Sequence, residues 1–207
     1  MLRSGSSPSG TRGPDDAAVA RVAPSGRCRP SAFRPRRRCG RVTNTVAALA
    51  HELSVAVYFA VYRAGEVEAL VAADAPGAQA VVERADFREA AHAHVIGQCL
   101  LAHLDEVECR DHFARCPMRP RAPNSGSHEA DFRRRLAARR RFQPVCEQGK
   151  YAPGTLCVAF PAPAAYATAT LAVSAPSDKA ERLRPAVNSL RSRVGALISS
   201  LSFSISI

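Results

Sequence analysis

Apolar residues recur with two different periods along this chain, and the two periods predict its strands and helices. Residues 54–63 alternate between branched or aromatic side chains and a second apolar set. A strand that is apolar at nearly every position is expected to be covered on both faces. Ala64 and Gly65 form the predicted turn into a second strand at 66–74. Further strands are predicted at 79–84, 143–147, 155–160 and 167–174.

The most regular helical pattern lies in the second half of residues 87–104. The first half is short and polar and leads into the helix, whose apolar stripe includes Ile96, Cys99, Leu100 and His103. Gly97 lies inside this pattern, where glycine costs about 1 kcal/mol relative to alanine, and so predicts close packing or a nearby ligand. Further helices are predicted at 43–53, 105–114, 130–142 and 183–201, the last with Pro185 in its first turn.

The first 41 residues differ in composition from the rest of the chain. They are rich in Ser, Gly, Pro and Arg, and their ten Arg and two Asp give +8 of the total net charge of +11. Such a segment cannot bury enough apolar surface to offset its ordering entropy. We therefore predict a disordered tail at 1–41 and one globular domain at 42–207. If the chain contacts nucleic acid, we expect only nonspecific phosphate contacts, through Arg34, Arg36, Arg37, Arg38 and Arg41.

Other features of the composition indicate the cellular compartment. No run approaches the roughly 18 apolar residues of a membrane span, and the N-terminus lacks the apolar core of a signal peptide, so we expect a cytoplasmic protein. The seven cysteines contain no CxxC pair and are odd in number, which favours reduced thiols.

Three segments resemble, in order, the signatures of the effector-binding domain of IclR-type transcriptional regulators. HAHVIGQCLLAHL resembles HATxxGKxLLA, EQGKYAPGTLCVAFPAP resembles DxEEYxPGxxCxAxPV, and LAVSAP resembles LSVSGP. The resemblance covers roughly residues 42–207. It implies an α/β (α+β) fold with a GAF-like, mixed and largely antiparallel sheet flanked by helices.

The resemblance also implies a function. In the family this domain senses a small-molecule effector and forms a homodimer or homotetramer, and it is not an enzyme. The winged helix-turn-helix that the family carries ahead of this domain is not recognisable here, because prolines break the periodicity of the first 41 residues. The alternative is a stand-alone dimerisation or interaction protein without a functional ligand pocket.

The resemblance assigns six residues to a ligand pocket between the sheet and the start of the signature helix: Val95, Ile96, Glu147, Cys157, Ala172 and Ser174. Several positions depart from the family pattern. Val95 and Ile96 replace small residues, Ala172 replaces a serine, and Gln98 replaces the usual lysine. Gly149 and Lys150 replace an acidic pair, although Lys150 offers a charge that attracts anions. We expect a smaller or more apolar pocket than one built for a hydrophilic carboxylate, with plain strand packing as the alternative for Cys157 and Ser174.

The cysteines and histidines raise two other possibilities, a metal site and a catalytic nucleophile. Cys109, His112 and Cys116 share one face of a predicted helix, but their spacing matches no familiar zinc module. Cys157 is a candidate nucleophile, but it lies in the middle of an apolar strand, where a thiol tends to be inert. We therefore predict no metal site, no cofactor and no catalytic residue.

Overall fold

The computed structural model describes residues 40–78, 87–119, 128–139, 143–163 and 168–203. The predicted strand at 79–84 and nearly all of the predicted tail lie outside these residues. Within them, the helices are α1 (Gly40–Leu53), α2 (Val95–Leu101), α3 (Glu106–Arg115), α4 (Glu129–Ala137) and α5 (Ala180–Phe203). The strands are β1 (Ala56–Arg63), β2 (Glu66–Ala73), β3 (Val145–Gln148), β4 (Thr155–Pro163) and β5 (Thr168–Pro176).

The five strands form one sheet in the order β2-β1-β5-β4-β3, and each of its neighbouring pairs is antiparallel. The predicted α/β (α+β) class, with a largely antiparallel sheet flanked by helices, is confirmed. Helix α1 begins at Gly40, two residues before the domain boundary predicted at Val42. The division into a tail and a domain stays a prediction.

The sheet separates two hydrophobic layers. Helices α1 and α5 pack on one face, which we call the α1–α5 face, and helices α2, α3 and α4 pack on the other, the α2 face. The alternation predicted for β1 is confirmed, because Val57 and Phe59 lie on the α1–α5 face and Tyr58 lies on the α2 face. Both layers therefore draw side chains from β1, β2, β4 and β5, and full burial of one large apolar side chain contributes roughly 1.5–3 kcal/mol.

Strand β4 is longer than predicted. The predicted strand ends at residue 160, yet β4 continues to Pro163. Strand β3 pairs with β4 only over residues 156–159, so the prolines interrupt no described ladder on that side. Proline lacks the N–H that a strand on that side would need, and it is tolerated at such an edge.

Two helices also differ from prediction. Helix α5 begins at Ala180, directly after a short 3₁₀ turn, so Pro185 lies in its second turn instead of its first. The first turn of the helix thus precedes Pro185, which lacks a backbone N–H and so removes one of the early hydrogen bonds of the helix. Helix α4 ends at Ala137, short of the predicted Phe142, which lies outside the described residues.

The cysteines depart in part from the prediction of reduced thiols. Cys99, Cys109, Cys146 and Cys157 are free, whereas Cys116 is disulfide-bonded. The prediction is therefore wrong for Cys116. Among the described residues, no helix is long and apolar enough to cross a membrane.

Candidate functional site

Helix α2 starts at a histidine that uses both of its ring nitrogens. Nδ1 of His94 accepts the backbone N–H of Gly97 at 2.9 Å and so caps the helix. Because Nδ1 is an acceptor, the neutral ring carries its proton on Nε2, which lies 2.9 Å from the carbonyl oxygen of Phe87 and donates to it. His94 thereby joins the turn at 87–93 to the first turn of the helix.

Gly97 is required by the same turn. A Cβ atom added at Gly97 would lie 2.1 Å from the carbonyl oxygen of Ala91. The contact is with backbone, which cannot rotate away as a side chain can. The close packing predicted from this glycine is confirmed, and it holds helix α2 against the turn that precedes it.

Strand pairing brings the predicted sheet residues into two adjacent rows on the α2 face. Glu147 on β3 lies opposite Cys157 on β4, which lies opposite Ser174 on β5. In the next row, Ala172 on β5 lies opposite Tyr58 on β1. Directly opposed residues of an antiparallel pair project on the same face, so β3, β4, β5 and β1 all present these side chains toward the space beneath helix α2.

A cavity of about 20 Å³ lies between helix α2 and these rows. Five of the six predicted site residues line it: Val95, Ile96, Glu147, Cys157 and Ala172. Ser174 does not line it; its hydroxyl is buried and lies 2.7 Å from the hydroxyl of Tyr58, which does. A space of this size holds about one water molecule, so any larger ligand requires its walls to move.

Glu147 is the acidic member of the cavity wall. Its side chain is buried, and Oε2 accepts the backbone N–H of Lys150 at 2.9 Å. Burial raises the pKa of Glu147, while the backbone N–H and the charge of Lys150, together with the N–H of Tyr151, oppose that rise. The same carboxylate thus supports the turn at 148–151 and faces the cavity.

Cys157 is a protonated thiol at neutral pH. Burial raises its pKa to about 12, the negative charge of Glu147 adds to the rise, and hydrogen bonds with Thr155 and Ser174 counteract it. The thiolate is the nucleophilic form of cysteine, so this environment disfavours covalent chemistry at Cys157.

Three aromatic rings close the cavity, and their role was not predicted from the sequence. His94 stacks on Phe87 with a centroid distance of 4.2 Å, and Tyr151 meets His94 edge-on at 5.1 Å. Phe87 and Tyr151 lie outside helices and strands, in the segments 87–93 and 149–154. Tyr151 belongs to the block EQGKYAPG, so its place in that motif was the available signal.

A second polar contact joins helix α2 to the segment after α4. The side-chain amide of Gln98 donates to the carbonyl oxygen of His92 at 3.1 Å and accepts from the guanidinium of Arg139 at 3.2 Å. A basic group therefore reaches the position where the family signature has a lysine. No periodic pattern in the sequence links residues so far apart.

Two of the three residues considered for a metal site, His112 and Cys116, have other partners. His112 is buried between Tyr62 and Phe113, with ring centroids 5.7 and 5.3 Å away, and Cys116 is disulfide-bonded. Burial lowers the pKa of His112 to about 4. Among the described residues, no three His, Cys, Asp or Glu side chains are placed to hold a metal ion.

A larger groove of about 470 Å³ runs between the end of helix α2 and helices α3 and α4. Leu101, Cys109 and Arg133 are among the residues that line it. None of the six predicted site residues does. The small cavity, not this groove, is therefore the candidate site.

The fold is similar to that of solved transcriptional regulators. An IclR transcriptional regulator from a Silicibacter species has a TM-score of 0.66 at 17% sequence identity, over 80% of this chain and 66% of that chain. The inducer-binding domain of the PobR transcription factor from Acinetobacter, a double mutant solved with 3-hydroxybenzoic acid, has a TM-score of 0.60 at 18% identity, over 80% of this chain and 95% of that chain. An IclR homologue from Microbacterium hydrocarbonoxydans, solved with 4-hydroxybenzoate, has a TM-score of 0.60 at 21% identity, over 81% of this chain and 69% of that chain.

No protein-family model matches the sequence, and no curated protein matches it. The structural similarity therefore establishes the fold, which is the one found in the effector-binding region of IclR-type regulators. The expected resemblance is confirmed at that level. The chain spans about two thirds of the Silicibacter regulator and nearly all of the Acinetobacter inducer-binding domain.

Proposed function

We propose that this chain is the small-molecule-sensing domain of a transcriptional regulator, and that the cavity beneath helix α2 receives its effector. The position of the cavity carries the proposal. Five residues assigned to a pocket from three separate sequence blocks surround one space, although two of the three blocks lie about 50 residues apart. Two proteins of the same fold were solved with hydroxybenzoates, which supports a small organic effector.

The architecture around the cavity supports a sensing role. Its floor consists of paired strands and its roof is helix α2, whereas Phe87 and Tyr151 come from irregular segments. Irregular segments rearrange at lower cost than packed strands and helices. A ligand can therefore enlarge the cavity by displacing these rings, and helix α2 adjoins the segment that moves.

One observation favours the alternative of an interaction protein without a functional pocket. The space of about 20 Å³ is almost filled by the surrounding side chains. A domain that had lost its ligand would retain the fold and close the cavity in this way. The two functions differ in whether a small molecule stabilises the domain through this cavity.

Thermal unfolding with a panel of small aromatic and aliphatic compounds of positive, zero and negative charge tests the proposal. A ligand at one hundred times its dissociation constant stabilises the fold by about 2.7 kcal/mol. For a domain of this size the melting temperature then rises by roughly 5–10 °C.

A matched pair of variants tests the location of binding. Ala172 and Ala159 are opposed on neighbouring strands and both are buried on the α2 face, but only Ala172 lines the cavity. Ala172→Val should abolish the ligand-induced rise, and Ala159→Val should retain it. Overpacking can cost each variant roughly 1–3 kcal/mol, so the comparison is made between each variant with and without ligand. Equal rises in both variants, or no rise in the wild type with any compound, would favour the interaction protein.

We also propose that the domain forms a homodimer or homotetramer. Analytical ultracentrifugation over a range of concentrations tests this. A monomer at every concentration would contradict it.

A further inference from the structure

We propose that the effector is a neutral or cationic hydrogen-bond donor, such as an amine, an alcohol or a phenol, and that the cavity rejects carboxylates and other anions. This inference rests on the proposed function, because it names the chemical class of ligand for the same cavity. It runs against the hydroxybenzoates bound by two proteins of the same fold.

The charge on the cavity wall is the first argument. Glu147 is the acidic residue among the described residues that line the cavity, and those residues include no Arg or Lys. Lys150, whose charge acts on the Glu147 carboxylate, is exposed and is not part of the wall. An anion would thus approach a buried carboxylate with no cation among the described wall residues to neutralise either charge, which is unfavourable where water is excluded.

The hydrogen-bond donors around the cavity are the second argument. His94 uses Nε2–H on the Phe87 carbonyl and Nδ1 on the Gly97 N–H. The hydroxyl groups of Tyr58 and Ser174 are hydrogen-bonded to each other at 2.7 Å. One of these two hydroxyl hydrogens and the ring N–H of His94, which are donors that an oxyanion could use, are therefore already engaged within the protein.

Acceptor capacity is the third argument. A carboxylate offers about four lone-pair positions on its two oxygens. The backbone N–H groups of Lys150 and Tyr151 bond to the Glu147 carboxylate and leave part of that capacity. A ligand N–H or O–H that reaches this carboxylate forms a charge-assisted hydrogen bond in a buried site, where such bonds are strong. The cavity is thus built to recognise a donor.

The experiment compares ligands that share one carbon frame and differ only in charge. The probes are benzylamine, benzyl alcohol and benzoate, together with propylamine, propanol and propionate, measured by thermal shift and by calorimetry at neutral pH. For each frame we expect the amine or the alcohol to bind at least about tenfold more tightly than the acid. An acid that binds most tightly to the wild type would overturn the inference while leaving the proposed function intact. No stabilisation by any probe would count against the proposed function itself.

A charge-removing variant identifies the residue responsible. Glu147→Gln keeps an acceptor oxygen for the turn and removes the negative charge, so it should bring the amine and acid affinities to within about threefold of each other. Glu181→Gln, on an exposed residue of α5, is the matched control and should leave the preference unchanged. An unchanged preference in Glu147→Gln would overturn the inference. If that variant does not fold, the comparison of probes on the wild type still decides the question.

Discussion

Acidification should destabilise this fold through His112. The ring is 1% exposed, and its Nδ1 lies 3.4 Å from the carbonyl oxygen of Gly65. Burial is the main cause that lowers its pKa from 6.5 to about 4, the carbonyl of Gly65 opposes the shift, and the charges of Arg115 and His92 add to it. The folded protein therefore needs the neutral ring at a pH where the unfolded chain already binds a proton.

The sign and size of the effect follow from this difference in pKa. Between pH 6.5 and pH 4 the unfolded state holds the extra proton, so the free energy of unfolding falls as the pH falls through that window. The loss at pH 5 is about 2 kcal/mol, and it approaches about 3 kcal/mol below pH 4. Glu147 acts in the opposite direction, because its pKa is raised in the folded state and its protonation favours folding at low pH.

Urea denaturation between pH 7.5 and pH 5, with wild type and variants side by side, isolates the contribution of His112. His112→Asn places an amide near the position of Nδ1 and removes the titratable ring. Between pH 7.5 and pH 5, the free energy of unfolding of this variant should therefore fall by about 2 kcal/mol less than that of the wild type. His51→Asn, at an exposed residue of α1, is the matched control and should follow the wild type. Parallel curves for His112→Asn and the wild type would refute the reasoning.

Three further predictions concern the candidate site. Gly97→Ala should destabilise the fold by about 2 kcal/mol or more in urea denaturation, because the added Cβ meets the carbonyl group of Ala91. The control Gly195→Ala, whose Cβ would have no atom within 4 Å, should stabilise helix α5 by up to about 1 kcal/mol. Similar outcomes for both variants would contradict the steric argument. A double-mutant cycle with Tyr58→Phe and Ser174→Ala should give a coupling energy of about 1 kcal/mol, and additive effects would argue against the hydrogen bond. Cys157 should resist iodoacetamide at pH 8 while the exposed Cys146 reacts, as followed by mass spectrometry, and equal labelling would contradict its burial.

Local patterns in the sequence predicted the strands, whereas the residues of the candidate site came from the family resemblance. Strict alternation placed Tyr58 and Phe59 on opposite faces of β1, and that alternation depends only on backbone geometry. The family resemblance supplied Glu147, Cys157 and Ala172, and antiparallel pairing brings them together on one face. Whether these residues bind a ligand stays a prediction.

The features that escaped prediction depend on contacts between distant segments. The two hydrogen bonds of His94 require the turn at 87–93, whose path no periodicity specifies. Arg139 meets Gln98 across 41 positions of sequence. Ser174 was predicted to line the pocket, but its hydroxyl is hydrogen-bonded to that of Tyr58 from the neighbouring strand, and Tyr58 lines the cavity whereas Ser174 does not.

Because the two faces of the sheet pack against different layers, neighbouring residues of one strand should differ in the effect of their mutation. On β5, Ala172 projects toward the cavity, whereas Leu171 projects into the layer beneath helices α1 and α5. Along β1 the same division separates Tyr58 from Phe59. In a saturation scan scored both for abundance and for response to effector, positions on the α1–α5 face should affect abundance alone. Positions on the α2 face should affect the response as well, so the two scores should diverge at every second residue of a strand. The chain could therefore acquire a new effector without altering the layer on the α1–α5 face.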